Sequence, residues 1–278
     1  MNHPPSPHES LALKLTEFFR QFPNVEAIAL AGSQTGSSAD PVSDIDLYVY
    51  TTSVIPLQER MALVAKSGAR QADLNLQYWD LGDEWYDAAT GIEVDVIYWD
   101  TRWIEEQLER VLARHQASLG YTTSIWHTVR NSRSLYDKNG WFQELKDGAD
   151  TPYPEELRSA IVTLNHPVLR RVIPSYRHQI EKAIRRNDLV SLNHRVAALL
   201  ASYFDILFAV NRLPHPGEKR LLKKANESCA KLPEEMSRKV EAVLRAAASA
   251  EGDLLAKVDL LIDGLDRLLG EEGFDLET

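Results

Sequence analysis

Several things that this 278-residue chain lacks limit what it can be. Its one cysteine, Cys229, allows neither an internal disulfide nor a zinc site of paired cysteines. It has no run of about 18 uncharged apolar residues, the length that a membrane-spanning helix needs. The first ten residues lack the basic and apolar regions of a signal peptide. We therefore expect a soluble protein of the cytoplasm with no membrane partner.

A surplus of positive charge is also absent. The net charge is −10, whereas affinity for duplex nucleic acid comes largely from cationic groups that neutralise phosphates. The charge is unevenly distributed, because residues 1–150 hold 12 Lys and Arg against 22 Asp and Glu, while residues 158–224 hold 13 against 4. This argues against a dedicated nucleic-acid binder but leaves room for a small phosphate-bearing ligand.

Common phosphate-binding and metal-binding motifs are missing too. Neither G-x-x-x-x-G-K-[ST] nor G-x-G-x-x-G occurs, and no two histidines have the spacing of metal ligands. His166 and His215 each precede a proline, so we expect both in turns. Any phosphate or metal chemistry must therefore use other residues.

The composition changes near residue 150. All six tryptophans and 8 of the 13 glycines precede that point, and the segment DGADTPYP there is rich in turn-forming residues. We therefore predict two domains, 1–150 and 151–278. Strands rich in β-branched and aromatic residues are predicted only in the first, at 25–32, 44–51, 73–79 and 92–99.

Residues 151–278 have the pattern of helices throughout. Asp188 suits the N-cap of a long helix, and Gly270 is placed to end the last one. Apolar residues recur at steps of three and four in four segments, which are 176–184, 192–210, 236–247 and 254–268. The predicted fold is therefore α+β: a small mixed sheet with flanking helices, followed by a bundle of four or five helices.

Two aspartates open the second predicted strand. Asp44 and Asp46 are two residues apart, so their side chains share one face of the strand while Ile45 points into the core. Two neighbouring carboxylates repel each other unless a cation joins them. A polar loop of ten residues separates Asp44 from Gly32-Ser33 at the end of the first strand, where glycine lets a phosphate approach the backbone and serine can donate to its oxygens.

A second acidic pair lies in the strand at 92–99. Glu93 and Asp95 share one face of it, opposite Val94 and Val96. A third carboxylate from this strand would complete a site lined by oxygen, which suits Mg²⁺ with its waters and substrate phosphates. A single D-x-D is weak evidence, but its combination with Gly-Ser, a polar loop and a later acidic strand is more specific.

The run G-S-x(10)-D-I-D-L-Y-V resembles the signature of the nucleotidyltransferase superfamily that includes DNA polymerase β. Its spacing is similar to that of the aminoglycoside adenylyltransferases acting on streptomycin and spectinomycin. Those enzymes also join an N-terminal nucleotidyltransferase domain to a C-terminal helical bundle. The resemblance in motifs covers roughly residues 25–99, and beyond them it is one of layout.

The resemblance implies a catalytic role for four acidic residues. Asp44, Asp46 and Asp95 would hold two Mg²⁺ ions that carry the nucleoside triphosphate, and Glu93 is the candidate general base. The opposite assignment of Glu93 and Asp95 stays open, because related enzymes have their third acid in either context.

The resemblance also implies a nucleotide-binding set. Gly32 and Ser33 would hold the β- and γ-phosphates of ATP, with Ser43 at the other end of the loop. Lys219 and Lys223 of the basic segment are candidates for neutralising the pyrophosphate that leaves. The implied reaction is Mg²⁺-dependent transfer of AMP from ATP to a hydroxyl of a small molecule. The acidic first part would favour a cationic acceptor such as an aminoglycoside-like antibiotic.

Two other functions stay open. One is a transferase that modifies a protein or a tRNA end, as in toxin–antitoxin systems, and the other is a nucleotide-binding module without turnover. The sequence decides neither the acceptor, nor the preferred nucleotide, nor whether the protein is a monomer or a dimer.

Overall fold

The computed structural model describes residues 5–32, 44–249 and 253–276. Within these ranges the chain forms six strands and eleven helices. The strands are β1 (Val25–Ala31), β2 (Ile45–Thr51), β3 (Ala69–Leu76), β4 (Gly82–Asp87), β5 (Glu93–Asp100) and β6 (Arg133–Asp137). The helices are α1 (Pro7–Phe19), α2 (Leu57–Ser67), α3 (Thr101–Leu112), α4 (Ser124–Asn131), α5 (Trp141–Ala149), α6 (Glu155–Arg170), α7 (Tyr176–Arg185), α8 (Leu189–Val210), α9 (Leu221–Ser228), α10 (Met236–Ser249) and α11 (Leu254–Glu271).

The six strands form one mixed sheet in the order β3-β4-β5-β2-β1-β6. Strands β2 and β5 pair in parallel, and the other neighbouring pairs are antiparallel. Helices flank this sheet, and a helical region follows it, so the predicted α+β class is confirmed.

One face of the sheet forms the core of the first part of the chain. Ile45, Leu47 and Val49 of β2 lie on this face and are fully buried. They belong to a cluster that also contains Val94 and Val96 of β5 and apolar residues of α1 and α2. Because side chains alternate along a strand, this burial directs the even-numbered residues of β2 to the opposite face.

Aromatic side chains cover part of that opposite face. The ring of Tyr50 lies 4.9 Å from that of Phe142 in α5 and 6.0 Å from that of Trp99 in β5. Both Tyr50 and Trp99 are buried. Tyr50 and Trp99 lie near the C-terminal ends of β2 and β5, and the acidic residues lie near the N-terminal ends of the same strands.

Two strands were not predicted, and one was predicted with the wrong bounds. The predicted strand 73–79 is shifted, because β3 spans Ala69–Leu76 and a turn follows it. Strands β4 and β6 have sequences rich in charged residues, glycine or serine, which have low intrinsic strand preference. Pairing with β5 and β1 stabilises them as strands despite that preference.

The chain divides into two compact units. The first comprises the described residues up to Glu109 together with Thr128–Thr151, and the second comprises Arg110–His127 with the described residues from Pro152 onward. Hydrogen bonds explain why 110–127 belongs to the second unit. The backbone N–H of Gly120 donates to Asn165 Oδ1 at 3.0 Å, and that of Thr122 donates to Asp205 Oδ1 at 3.0 Å. The two predicted domains, 1–150 and 151–278, stay a prediction.

The second unit is helical, and α8 lies at its centre. Asp188 is its N-cap, where the side chain accepts a hydrogen bond from the Ser191 N–H at 2.9 Å. The last nine residues of α8, Ser202–Val210, are all buried. The sequence pattern predicts burial of only one apolar stripe along this helix. The described part of this unit contains six complete helices, α6–α11, rather than four or five.

Two local expectations were wrong. His166 does not lie in a turn, because α6 continues through His166 and Pro167 to Arg170. Helix α11 does not end at Gly270 but extends to Glu271, and Gly273 adopts the positive φ of +81° just beyond. Within the described ranges, no helix is both long and apolar enough to cross a membrane.

Candidate active site

Two of the predicted acidic residues lie side by side on neighbouring strands. Asp46 of β2 pairs directly with Asp95 of β5 in the parallel register. Neighbouring strands lie about 4.8 Å apart, so two side chains in register on one face are close neighbours. Both residues are partly buried, and both lie opposite the apolar core face. The sheet therefore brings together two carboxylates that are 49 positions apart in the chain.

Gly32 packs against this carboxylate pair. It follows Ala31, which pairs with Asp46 across β1 and β2. Its φ is +68°, and a Cβ atom added to it would lie only 1.8 Å from Asp46 Oδ2. Any side chain here would collide with the carboxylate, besides being strained by the backbone angle. The absence of a side chain at Gly32 thus lets the Asp46 carboxylate pack directly against the backbone at the end of β1.

Asp44 and Glu93 lie nearer the start of their strands. Asp44 is partly buried and precedes β2 by one residue, whereas Glu93 is exposed and is the first residue of β5. The hydroxyl of Tyr86 in β4 donates a hydrogen bond to Glu93 Oε2 at 3.1 Å, and this bond raises the pKa of Tyr86. Glu93 is therefore engaged with a neighbouring strand.

The sequence interpretation did not identify Glu84, which the sheet places beside Asp95. Glu84 of β4 pairs with Asp95 of β5 in the antiparallel register, and it is partly buried. A weak signal was available, since Glu84 and Tyr86 alternate with Asp83, Trp85 and Asp87, as expected for a strand with one buried face. The charged composition of the segment concealed that pattern.

Tyr48 reports the electrostatic field on this face. Burial is the largest cause of its raised pKa, followed by the negative charges of Asp46, Asp95 and Asp80. The Tyr48 ring lies 4.3 Å from the ring of Trp99. A phenol that is affected by both aspartates shows that their charges act on the same small region of the sheet.

The donors on this face are all oxygen atoms, which suits Mg²⁺ rather than a softer metal. In the part of the chain that the structure describes, no three His, Cys, Asp or Glu residues are grouped closely enough to hold a metal ion. Mg²⁺ is commonly bound by only one or two carboxylates, with waters and substrate phosphates completing its shell. Asp46 and Asp95 therefore fit an ion shared with a phosphate ligand better than an all-protein cage.

The predicted phosphate-binding residues Ser33, Ser43, Lys219 and Lys223 are not tested by the described structure. Ser33 and Ser43 lie outside the described residues. Lys219 and Lys223 belong to the second unit, where Lys223 forms an exposed ion pair with Glu227 at 3.7 Å. Their assignment to phosphates stays a prediction.

The second unit contains a buried polar cluster formed by Thr122, Asn165 and Asp205. Asp205 is 1% exposed and accepts hydrogen bonds from the N–H of Thr122 at 3.0 Å and from its hydroxyl at 2.6 Å. Burial raises the pKa of Asp205 to about 7, against the lowering effect of these bonds. Because its donors come from the chain itself, this cluster is explained by folding.

His215 lies in the segment between α8 and α9 and is fully buried in the same unit. Its backbone N–H donates to the Thr123 hydroxyl at 2.7 Å, and its Nδ1 accepts from the Gly217 N–H at 3.1 Å. Burial lowers its pKa to about 4, with smaller contributions from His127 and Lys224. The imidazole is therefore neutral at physiological pH.

A family model described as a domain of unknown function, DUF4037, matches residues 121–221. No curated protein matches the chain. Among solved structures, the chain is similar to a nucleotidyltransferase-like protein from Exiguobacterium sibiricum 255-15, with 12% identity over 96% of this chain and 76% of that one, and a TM-score of 0.42. A likeness this low identifies neither an activity nor a substrate.

Proposed function

We propose that the chain is a Mg²⁺-dependent nucleotidyltransferase, which transfers AMP from ATP to a hydroxyl of a small molecule. The observation that carries this proposal is the pairing of Asp46 with Asp95 on one face of the sheet, directly beside Gly32. Neighbouring carboxylates attract a cation, and the close packing of Gly32 against Asp46 puts the backbone at the end of β1 next to that cation site.

The acidic residues have distinct roles in this proposal. Asp46 and Asp95 would hold Mg²⁺ together with the phosphates of the nucleotide, and Asp44, two residues before Asp46, stays the predicted third ligand. When bound, the ion would neutralise the triphosphate and polarise its α-phosphate. Gly32 would let the phosphate chain approach the end of β1, and the rigid pairing of β2 and β5 would keep the carboxylates aligned for an in-line displacement.

The acceptor hydroxyl has to lose its proton as the new bond to phosphorus forms. A carboxylate on the same face would accept this proton, and Glu93 is the candidate from the sequence. The negative charge of this face would also attract a cationic acceptor, which supports an aminoglycoside-like compound as the first class to test.

The proposal is tested by a screen of all four nucleoside triphosphates against aminoglycosides and lincosamides, with release of pyrophosphate as the readout. We expect Mg²⁺-dependent release with at least one pair of substrates. Asp46→Asn should reduce it by about 10³-fold or more, because neutralising a ligand removes charge stabilisation of the transition state.

The matched control is Asp73→Asn, which removes an exposed carboxylate from β3. We expect it to keep the wild-type rate. Both variants should unfold near the wild-type temperature, since neither residue belongs to the apolar core. Mg²⁺-dependent ATP binding without any pyrophosphate release would instead support the binding module, and equal turnover in Asp46→Asn would exclude this site.

A further inference from the structure

Carboxylates of four neighbouring strands cross the sheet at one level, and the outermost of them, Asp73 of β3, is exposed. Asp46 of β2 pairs with Asp95 of β5, and Asp95 pairs with Glu84 of β4. We call these three residues the acidic row. We propose that Glu84, and not Glu93, is the catalytic base that accepts the proton of the acceptor hydroxyl. This inference rests on the proposed nucleotidyltransferase function.

The order of the strands gives the acidic row a direction. Gly32 lies at the end of β1, beside Asp46, and the strands that follow across the sheet are β2, β5 and β4. If the β- and γ-phosphates lie at Gly32, pyrophosphate leaves on the β1 side. An in-line displacement requires the attacking hydroxyl on the side opposite the leaving group. That side is the one towards β4, where Glu84 lies.

Glu84 is also better placed than Glu93 in the register. Glu84 is level with Asp95, whereas Glu93 lies two residues before Asp95 along β5 and is exposed. The carboxylate of Glu93 already accepts a hydrogen bond from Tyr86 at 3.1 Å. This bond holds the Glu93 carboxylate against β4, away from the level of Asp95.

The strand that carries Glu84 is held rigidly from its other face. Its neighbour Asp83 is fully buried and forms an ion pair with the buried Arg60 at 2.6 Å. Asp83 also accepts hydrogen bonds from the Tyr98 hydroxyl at 2.7 Å and from the Asn75 N–H at 2.8 Å. These contacts fix β4 against β5, so Glu84 is presented on a firm support, as a catalytic group requires.

The proposed step conserves atoms and charge. The hydroxyl oxygen of the acceptor forms a bond to the α-phosphorus of ATP, and the bond from that phosphorus to the bridging oxygen of pyrophosphate breaks. The proton of the hydroxyl moves to the Glu84 carboxylate, and pyrophosphate carries away the bonding electron pair. Water later removes the proton from Glu84.

The test compares wild type with Glu84→Gln, Glu93→Gln and Asp46→Asn. Calorimetry measures binding of a non-hydrolysable ATP analogue with Mg²⁺. Pyrophosphate release is measured across pH with the acceptor found in the screen, or with water if none reacts. We expect Glu84→Gln to bind the analogue within about threefold of wild type, to lose 10²- to 10⁴-fold in kcat, roughly the contribution of a general base, and to lose the acidic limb of the pH–rate profile.

Asp73→Asn is the matched control, because Asp73 pairs with Glu84 but is exposed on β3 and has no assigned role. It should keep both binding and turnover. Three results would overturn the role of Glu84 and leave the proposed function intact. These are turnover near wild type in Glu84→Gln, a loss of turnover confined to Glu93→Gln, or a loss of analogue binding in Glu84→Gln as large as in Asp46→Asn. Wild-type protein without Mg²⁺-dependent pyrophosphate release would overturn the proposed function, and the inference with it.

Discussion

The acidic row of the sheet and the buried Asp205 of the helical unit place carboxylates among different neighbours. In the sheet, the acidic row places Asp46, Asp95 and Glu84 next to one another, so each faces a like charge across a strand pair. In the helical unit, Asp205 faces donors instead, and both of its oxygens accept hydrogen bonds from Thr122. Like charges opposite each other destabilise a sheet, whereas a buried carboxyl with good donors stabilises its surroundings.

This difference distinguishes a residue whose side chain stabilises the fold from residues whose charges do not. Asp205 joins the segment 110–127 to α8, so its removal should cost stability. The residues of the acidic row do not belong to the apolar core, and a bound cation would offset the repulsion between their charges. A large loss of stability on removing Asp95, or none on removing Asp205, would contradict this difference between the two units.

Asp205→Ala should have the largest effect on stability. It leaves the buried N–H of Thr122 without its acceptor, at a cost on the order of 1–3 kcal/mol, whereas the Thr122 hydroxyl keeps the Ser118 carbonyl as an acceptor at 3.2 Å. We expect a loss of about 2 kcal/mol in the free energy of unfolding, measured by urea denaturation at pH 5. Asp95→Ala serves as the comparison and should lose much less, so equal losses would contradict the distinction.

The pH dependence of stability should reveal two opposing groups in the helical unit. Because the pKa of Asp205 is raised to about 7, its contribution is complete below pH 4 and is lost as the pH rises to 7. Because the pKa of His215 is lowered to about 4, its contribution is complete above about pH 6.5 and is lost as the pH falls.

The two slopes should largely cancel in the wild-type protein between pH 4 and 6.5. Asp205→Asn should remove one of them, so the variant should gain stability relative to wild type as the pH rises, by at most about 1.4 kcal/mol per pH unit. His215→Gln should show the opposite trend. Chemical denaturation across this pH range measures both, and parallel curves for all three proteins would show that neither group titrates as described.

Gly32→Ala should lower turnover, although it adds only one methyl group. The new Cβ would lie 1.8 Å from Asp46 Oδ2 at a φ of +68°, so the carboxylate must move. The strained backbone alone costs about 1 kcal/mol. We expect turnover to fall by about 10²-fold, because a displacement near 1 Å is enough for such a loss. Gly91→Ala is the control, since Gly91 also has a positive φ but has open space around its Cβ position.

The smallest effect should be a gain. Asp95→Asn removes a negative charge between Asp46 and Glu84, so the metal-free protein should become more stable by about 0.5 kcal/mol at low salt. Thermal unfolding measures this, and the gain should shrink as NaCl screens the remaining charges. A clear loss of stability would mean that Asp95 supports the fold in a way that the acidic row does not suggest.

Local sequence patterns were sufficient where a single segment determines its own structure. The alternation in β2 correctly directs Ile45 into the core and Asp46 away from it, and Asp188 caps α8 as its side chain predicts. The same reasoning failed for His166, because Pro167 does not break α6 in its packed context. Packing against α8 outweighs the local preference there.

Local sequence patterns predict only part of the candidate site. Asp44, Asp46, Glu93 and Asp95 were found from spacing within their own strands. Glu84 was not found, because its place depends on the pairing of β4 with β5, and β4 itself has a weak strand signal. Register between distant strands depends on burial across the whole sheet, which no local window contains.

Composition and periodicity were enough to determine the α+β class, the acidic faces of β2 and β5, and the long apolar stripes of the helices. These follow from short-range geometry, since side-chain direction repeats every two residues in a strand and every 3.6 in a helix. Only the folded chain determined that Asp46 stands beside Asp95 and Glu84, and that residues 110–127 join the helical unit. Both depend on contacts between segments far apart in the chain, where the burial of many residues outweighs the preference of any one of them.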